Sequence, residues 1–172
     1  TTGNTNTAVG KGSLATNTTG DRSVAVGLNA LNLQNPDSNA DMYNTAVGYK
    51  AGAAITTGTN NTLIGGLAGD ATTTASNNTA VGYDALSANT TGSENVGVGA
   101  YAMASNTTGA DNTAIGTAAL DANTTGANNA AVGRHALGAN TTGANNVAVG
   151  QSAQAATTTG NDNVGIGRQA LD

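Results

Sequence analysis

The residues that could carry out chemistry are few and scattered along the chain. His135 is the only histidine among 172 residues, and cysteine is absent. A histidine-based catalytic triad or a zinc site therefore lacks a complete set of parts. Gly10-Lys11-Gly12 lacks the hydroxyl residue and the spaced glycine of a phosphate loop, and stretch 65–70 matches a calcium-binding nonapeptide only faintly. We predict that the chain is not an enzyme, has no catalytic or cofactor-binding residues, and uses no cofactor.

One short stretch, NPDSNADMY, holds oxygen-bearing side chains at alternate positions. Asp37, Asn39 and Asp41 match the spacing of the first three ligands of a calcium loop. The position where such a loop needs glycine is Met42, and no glutamate lies twelve residues along. The stretch also contains the only proline, Pro36. We predict a plain surface loop that projects outward, and no metal site.

A third candidate site is the tripeptide Asn-Thr-Thr, which is a formal N-glycosylation acceptor. It occurs at Asn17, Asn89, Asn106, Asn123 and Asn140. A turn column built from Asn and Thr gives the same sequence for backbone reasons, and we interpret the acceptors as incidental. Stacked Asn and Thr could also form an ice-binding face, because alternate residues such as Asn140 and Thr142 would point to the same side, although Gln34, Ile55 and Thr72 interrupt the asparagine column.

All of these residues are positioned by an internal repeat. Valine or isoleucine followed by glycine returns at a spacing of 17 residues in eight of nine intervals and of 21 in the other, and the glycines are Gly10, Gly27, Gly48, Gly65, Gly82, Gly99, Gly116, Gly133, Gly150 and Gly167. A fixed period means that one small unit is stacked on copies of itself. We therefore predict a single repeat array over residues 1–172, with one four-residue insertion within residues 32–43.

The unit itself indicates β-structure. Glycine in the middle of each unit, usually with a second glycine in TTG, leaves no uninterrupted run long enough for a helix. A short β-branched strand, a glycine turn, a second extended piece and another turn do fit the period. We predict an all-β protein, a parallel β-solenoid or β-roll of ten 17-residue rungs with two short strands per rung. Rungs stacked about 4.8 Å apart would place the recurring asparagines in a hydrogen-bonded ladder.

The assignment of the strand faces follows from side-chain size. We predict that the Val or Ile before each glycine, such as Val81, points into the roll, whereas Tyr83 faces solvent. The alanine or glycine on the other strand face would then allow close approach of other chains. Because the chain has no Phe or Trp and a meagre core, we expect a homotrimer packed through that small-residue face. A thin monomeric solenoid is the alternative.

Charge excludes one class of partner. The net charge is −5, with only five basic residues, and phosphate binding needs clustered positive charge. We expect no nucleic-acid partner. The sequence contains no transmembrane run, and we expect no membrane insertion.

The units NTAVGYDALSANTTG (78–92) and NTAVGYKAG (44–52) resemble repeats of phage tail-fibre proteins. More distantly, they resemble the S-V-A-I-G head repeats of trimeric autotransporter adhesins. The resemblance implies a trimeric left-handed β-roll and a role in attachment. It implies an extracellular protein, on a virion tail fibre or a cell surface, that contacts a host receptor or glycan.

The function expected from the sequence is therefore a structural shaft or head segment of an attachment fibre. Because the chain begins and ends inside a repeat, we expect a fragment of a longer fibre, or a subunit that stacks end to end. The alternative is a surface-binding solenoid, such as an ice-binding protein or a subunit of a filament or S-layer.

Overall fold

The computed structural model describes residues 3–172. In chain order its strands are β1 (Thr7–Val9), β2 (Gly20–Asp21), β3 (Val24–Val26), β4 (Ala40–Asp41), β5 (Thr45–Val47), β6 (Thr62–Ile64), β7 (Thr79–Val81), β8 (Val96–Val98), β9 (Thr113–Ile115), β10 (Ala130–Val132), β11 (Val147–Val149) and β12 (Val164–Ile166). Ten of them form one parallel sheet, and β2 pairs with β4 in a second, smaller sheet. Residues 3–172 contain no helix. The predicted all-β solenoid is confirmed, with one rung for each strand of the large sheet.

Neighbouring strands pair in the register that the repeat dictates. Thr113 lies beside Ala130, and Ile115 lies beside Val132, 17 residues further on. The same alignment holds where the period lengthens, because Ala25 of β3 pairs with Ala46 of β5. We number the rungs 1 to 10, from the one that contains β1 to the one that contains β12.

The second strand predicted for each rung does not form, apart from the two-residue β2 and β4. In rung 7, Ala118 and Leu120 have φ angles of 52° and 54°, which lie in the left-handed region and break an extended conformation. Hydrogen bonds between rungs nevertheless continue there. Leu120 N donates to Ala136 O over 3.0 Å, and Thr124 N donates to Thr141 O over 2.8 Å. This side of the roll, which we call the turn layer, is a stack of turns.

The core between the strands and the turn layer is narrow. Most strands place an alanine or glycine at their centre, opposite a leucine or methionine four residues after the repeat glycine. A Cβ built on Gly97, at the centre of β8, would lie 3.4 Å from Leu86 Cγ. At these two facing positions each rung therefore has room for one large side chain, not two.

In rung 4 the large residue lies at the strand centre and the small residue lies opposite it. Leu63 occupies the centre of β6 and is fully buried. Gly52 and Gly69 stand where other rungs carry leucine. A Cβ would lie 2.7 Å from Leu63 Cδ1 if built on Gly52, and 2.8 Å from Leu63 Cδ2 if built on Gly69. The volume of Leu63 is thus compensated by two glycines across the core.

Two buried columns of asparagine stabilise the corners of the roll. In the first column, Asn112 N donates to Asn95 Oδ1 over 3.0 Å, and Asn112 Nδ2 donates to Gly126 O over 2.8 Å. In the second, Asn123 Nδ2 donates to Asn106 Oδ1 over 2.8 Å. The predicted asparagine ladder is confirmed, and the structure adds a second one.

The inserted stretch is only partly a surface loop. Asp37 and Asn39 are exposed as predicted, whereas Pro36 and Met42 are buried. A Cβ built on Gly20 would lie 3.0 Å from Met42 Cγ and 3.1 Å from Pro36 Cδ. The interpretation as a plain outward loop is therefore wrong for Pro36 and Met42, because they extend the core beside Gly20.

Candidate binding surfaces

The outward face of the large sheet is apolar, which reverses the predicted strand faces. Ala131 at the centre of β10 is fully buried, whereas Val132 is 37% exposed; in the neighbouring rung, Ile115 is 42% exposed. Val81 likewise lies at the surface and is half-buried. The prediction that the Val or Ile before each glycine points into the roll is wrong, because the narrow core accepts only a small residue at the strand centre. Tyr83 is exposed, as predicted.

We call the outward column of Val and Ile the apolar stripe. It comprises Val9, Val26, Val47, Ile64, Val81, Val98, Ile115, Val132, Val149 and Ile166. Valine also occupies the other outward strand position in β3, β8, β11 and β12. None of the ten strands in this sheet contains a charged residue. The stripe is therefore an uncharged surface that runs along the described solenoid.

A second regular surface is formed by threonine. Seven rungs each expose one threonine in register, and the column consists of Thr57, Thr74, Thr91, Thr108, Thr125, Thr142 and Thr159. The threonine before each of these lies closer to the backbone of the next rung; for example, Thr107 Oγ1 donates to Thr124 O over 3.0 Å. Asn140 is buried while Thr142 is exposed. The idea that these two residues share an outer face is wrong.

The Asn-Thr-Thr acceptors are not available for modification in the folded chain. Asn89, Asn106, Asn123 and Asn140 are fully buried, and their side-chain amides donate to carbonyl groups; Asn140 Nδ2, for instance, donates to Gly143 O over 3.0 Å. Asn17 is half-buried and donates in the same way to Gly20 O over 2.8 Å. Glycosylation would require these turns to open.

The other candidate residues have separate environments. His135 lies half-buried in the turn layer. The carboxylate of Asp41 pairs with Arg22, and the amide of Asn39 donates to Asp21 Oδ2 over 3.3 Å. Within residues 3–172, no three His, Cys, Asp or Glu side chains gather to hold a metal ion.

An open depression lies on the outer side of the turn layer, across rungs 2 to 4, with a volume of about 240 Å³. Its polar lining comes from Asn29, Asn32, Lys50 and Asp70. Burial raises the pKa of the Asp70 carboxyl, the nearby charge of Asp84 raises it further, and Lys50 acts in the opposite direction. Sequence reasoning missed this site, because its residues belong to three different rungs.

The part of the chain described by the structure contains no helix that is long and apolar enough to cross a membrane. Comparison of the chain with protein-family models, curated protein sequences and solved structures found no match.

Proposed function

We propose that this chain is a structural segment, shaft or head, of an extracellular attachment fibre in which three copies pack side by side. The observation that carries the proposal is the apolar stripe. It places an exposed or half-buried Val or Ile on the outer face of every rung, without a charged residue in its strands. Extended apolar surfaces on soluble proteins mark interaction sites.

The stripe suits a partner with the same period. Its side chains recur once per rung, and a second parallel copy of the chain offers side chains at the same spacing. The stripe residues of rungs 2 to 9 are at most 42% exposed, so complete burial would contribute about 1 kcal/mol for each. Summed over the rungs, this burial favours side-by-side association and offsets part of its entropic cost. The number three comes from the resemblance to trimeric fibre repeats.

This proposal keeps the expected homotrimer but changes its interface. The sequence placed the contact on the alanine and glycine positions, and those residues line the interior of the roll. The outward Val and Ile positions supply the apolar surface that we assign to packing between copies.

Sedimentation velocity at micromolar concentration tests the assembly. The wild-type chain should sediment as a trimer. The double variant Val81→Asp/Ile115→Asp should dissociate, because it would bring carboxylates of all three copies together at two levels. The matched control Thr91→Asp/Thr125→Asp changes the same two rungs on the threonine column and should remain trimeric. A folded wild-type monomer, or dissociation of both variants alike, would contradict the proposal.

Ice binding is the second candidate function, and the column of seven exposed threonines favours it. A regular array of hydroxyl and methyl groups can order water. The variant Thr108→Lys/Thr125→Lys should abolish any thermal hysteresis, whereas changes in the apolar stripe should not. Absence of thermal hysteresis in the wild type would remove this candidate.

A further inference from the structure

The depression across rungs 2 to 4 results from a change in side-chain size at one repeat position. The fifth residue after the repeat glycine is Asn32, Ala53 and Asp70 in three successive rungs. The small Ala53 thus lies between two larger polar residues. The next residue along is Leu33 in rung 2 and Ala54 in rung 3, which widens the gap.

The depression combines an apolar floor with converging polar groups. Leu33, Ala53 and Ala54 supply the apolar surface. Asn32 Nδ2 donates to Gly12 O over 2.9 Å, so its Oδ1 is the atom left to accept a hydrogen bond from a ligand. Because Asn29 also lines the depression, a second amide is available beside it.

Two residues of opposite charge, Lys50 and Asp70, complete the lining and are not joined to each other by a salt bridge. The ammonium of Lys50 lies 5.5 Å from the centre of the Tyr49 ring. The salt bridge found within residues 3–172 joins Arg22 and Asp41 and does not involve Lys50 or Asp70. The ammonium is a donor and the carboxylate an acceptor, so the depression offers both kinds of hydrogen bond with no net charge.

We infer that this depression binds one neutral hexose ring of a glycan. A sugar ring has an apolar face of C–H groups, which suits Leu33 and the two alanines, and hydroxyl groups that both donate and accept. Pockets for drug-sized ligands measure about 300–1,000 Å³, so a depression of about 240 Å³ suits a single ring. The shallow shape matches a sugar that extends into solvent as part of a longer chain.

The site is independent of the apolar stripe. The turn layer packs against the inner face of the sheet, as the closeness of Gly52 to Leu63 shows, so its outer side faces away from the stripe. All lining residues come from one roll. The inference rests on the proposed attachment function for its biological use, but sugar binding itself requires only the folded chain.

Saturation-transfer NMR tests the inference with three probes: the methyl β-glycosides of glucose, galactose and N-acetylglucosamine. At least one should receive saturation from the wild-type chain. Ala53→Leu, which fills the depression, should abolish the transfer. Asp70→Asn, which replaces a charged acceptor, should raise the Kd about tenfold.

Two variants at the same repeat position serve as controls. Ala104→Leu adds the same bulk, and Asp121→Asn removes a similar half-buried carboxylate, both in rungs outside the depression. Both should bind the probe as the wild type does. Failure of all three probes to receive saturation, or binding that survives Ala53→Leu and Asp70→Asn, would overturn the inference. Sedimentation of the same samples separates the two proposals. A wild-type chain that sediments as a monomer and still binds sugar would contradict the proposed trimer but not the sugar site.

Discussion

Leu63 and Gly69 provide a direct test of which side chains share the core. Leu63→Ala removes a fully buried side chain and should cost about 3–5 kcal/mol, because the glycines opposite offer nothing that could fill the cavity. Gly69→Leu alone should also destabilise. A Cβ there would meet Leu63 Cδ2 at 2.8 Å, so overpacking adds about 1–3 kcal/mol. The left-handed conformation, with φ of 56°, adds about 1–2 kcal/mol.

The double variant should be far more stable than the sum of these losses predicts. Leucine already adopts this conformation at the equivalent positions Leu86 and Leu120, with φ of 53° and 54°. With alanine at position 63, the nearest remaining atom to the new Cβ is Thr72 Oγ1 at 3.2 Å. The double variant thus restores the pattern of the other rungs and should retain only the conformational cost. The coupling free energy should reach about 4 kcal/mol or more, the sum of the cavity and overpacking losses that the double variant avoids.

Urea unfolding followed by circular dichroism gives the four free energies of the cycle. Leu120→Ala combined with Gly69→Leu is the control, because Leu120 lies three rungs away and its effect should add independently. Additive losses for Leu63 and Gly69 would refute the narrow core. Coupling as strong in the control pair would show that the effect is not local.

The remaining predictions concern the strand faces, the asparagine column and pH. Ala80→Asp, which buries a carboxylate at a strand centre, should lower the free energy of unfolding by about 3 kcal/mol or more. Val81→Asp should keep the β-sheet signal and its cooperative melting. Equal losses of stability in the two variants would contradict the assigned strand faces. Thr157→Asn should raise stability by about 1 kcal/mol, because Asn140 Oδ1 has no hydrogen-bond partner; an unchanged melting temperature would contradict this. Burial raises the pKa of the Asp121 carboxyl above its ordinary 3.8, so folding favours the protonated form of this group. The resulting stabilisation of the fold is fully present below pH 3.8 and is lost as pH rises through the raised pKa. Asp121→Asn should therefore melt above the wild type at pH 7, with a gap that closes toward pH 4; a pH-independent gap would rule this out.

The period predicted a stacked repeat, and the glycines and β-branched residues within each unit identified it as a parallel β-solenoid. Each strand of the large sheet lies where a β-branched residue precedes the repeat glycine, and the 17-residue spacing fixes the register between neighbouring strands. The asparagine ladder followed from the same spacing. The shape of the turn layer could not be predicted from the sequence. Its left-handed residues include Ala118 and Leu120, and alanine and leucine are not residue types that indicate a left-handed conformation.

The error in the strand faces has a physical cause. Sequence reasoning placed the larger side chain inside, as is usual for a half-buried strand. In this roll the core volume is filled by the leucine opposite the strand. The residue at the strand centre must therefore be small, and the larger Val or Ile points outward. The signal was present in rung 4, where Leu63 occurs together with Gly52 and Gly69. The depression could not be predicted in this way, because it depends on how three rungs lie side by side.

Rung 4 also bears on how the chain finds its fold. Successive rungs are so alike that a folding chain can loop out one rung and still pair the strands on either side, a misalignment that costs little where all cores are equivalent. Skipping rung 3 would set Leu63 against Leu31 instead of Gly52, and two leucines do not fit there. The exchange of leucine and glycine in rung 4 therefore disfavours misaligned pairing of rungs during folding. Removing it should increase the misfolded fraction after refolding.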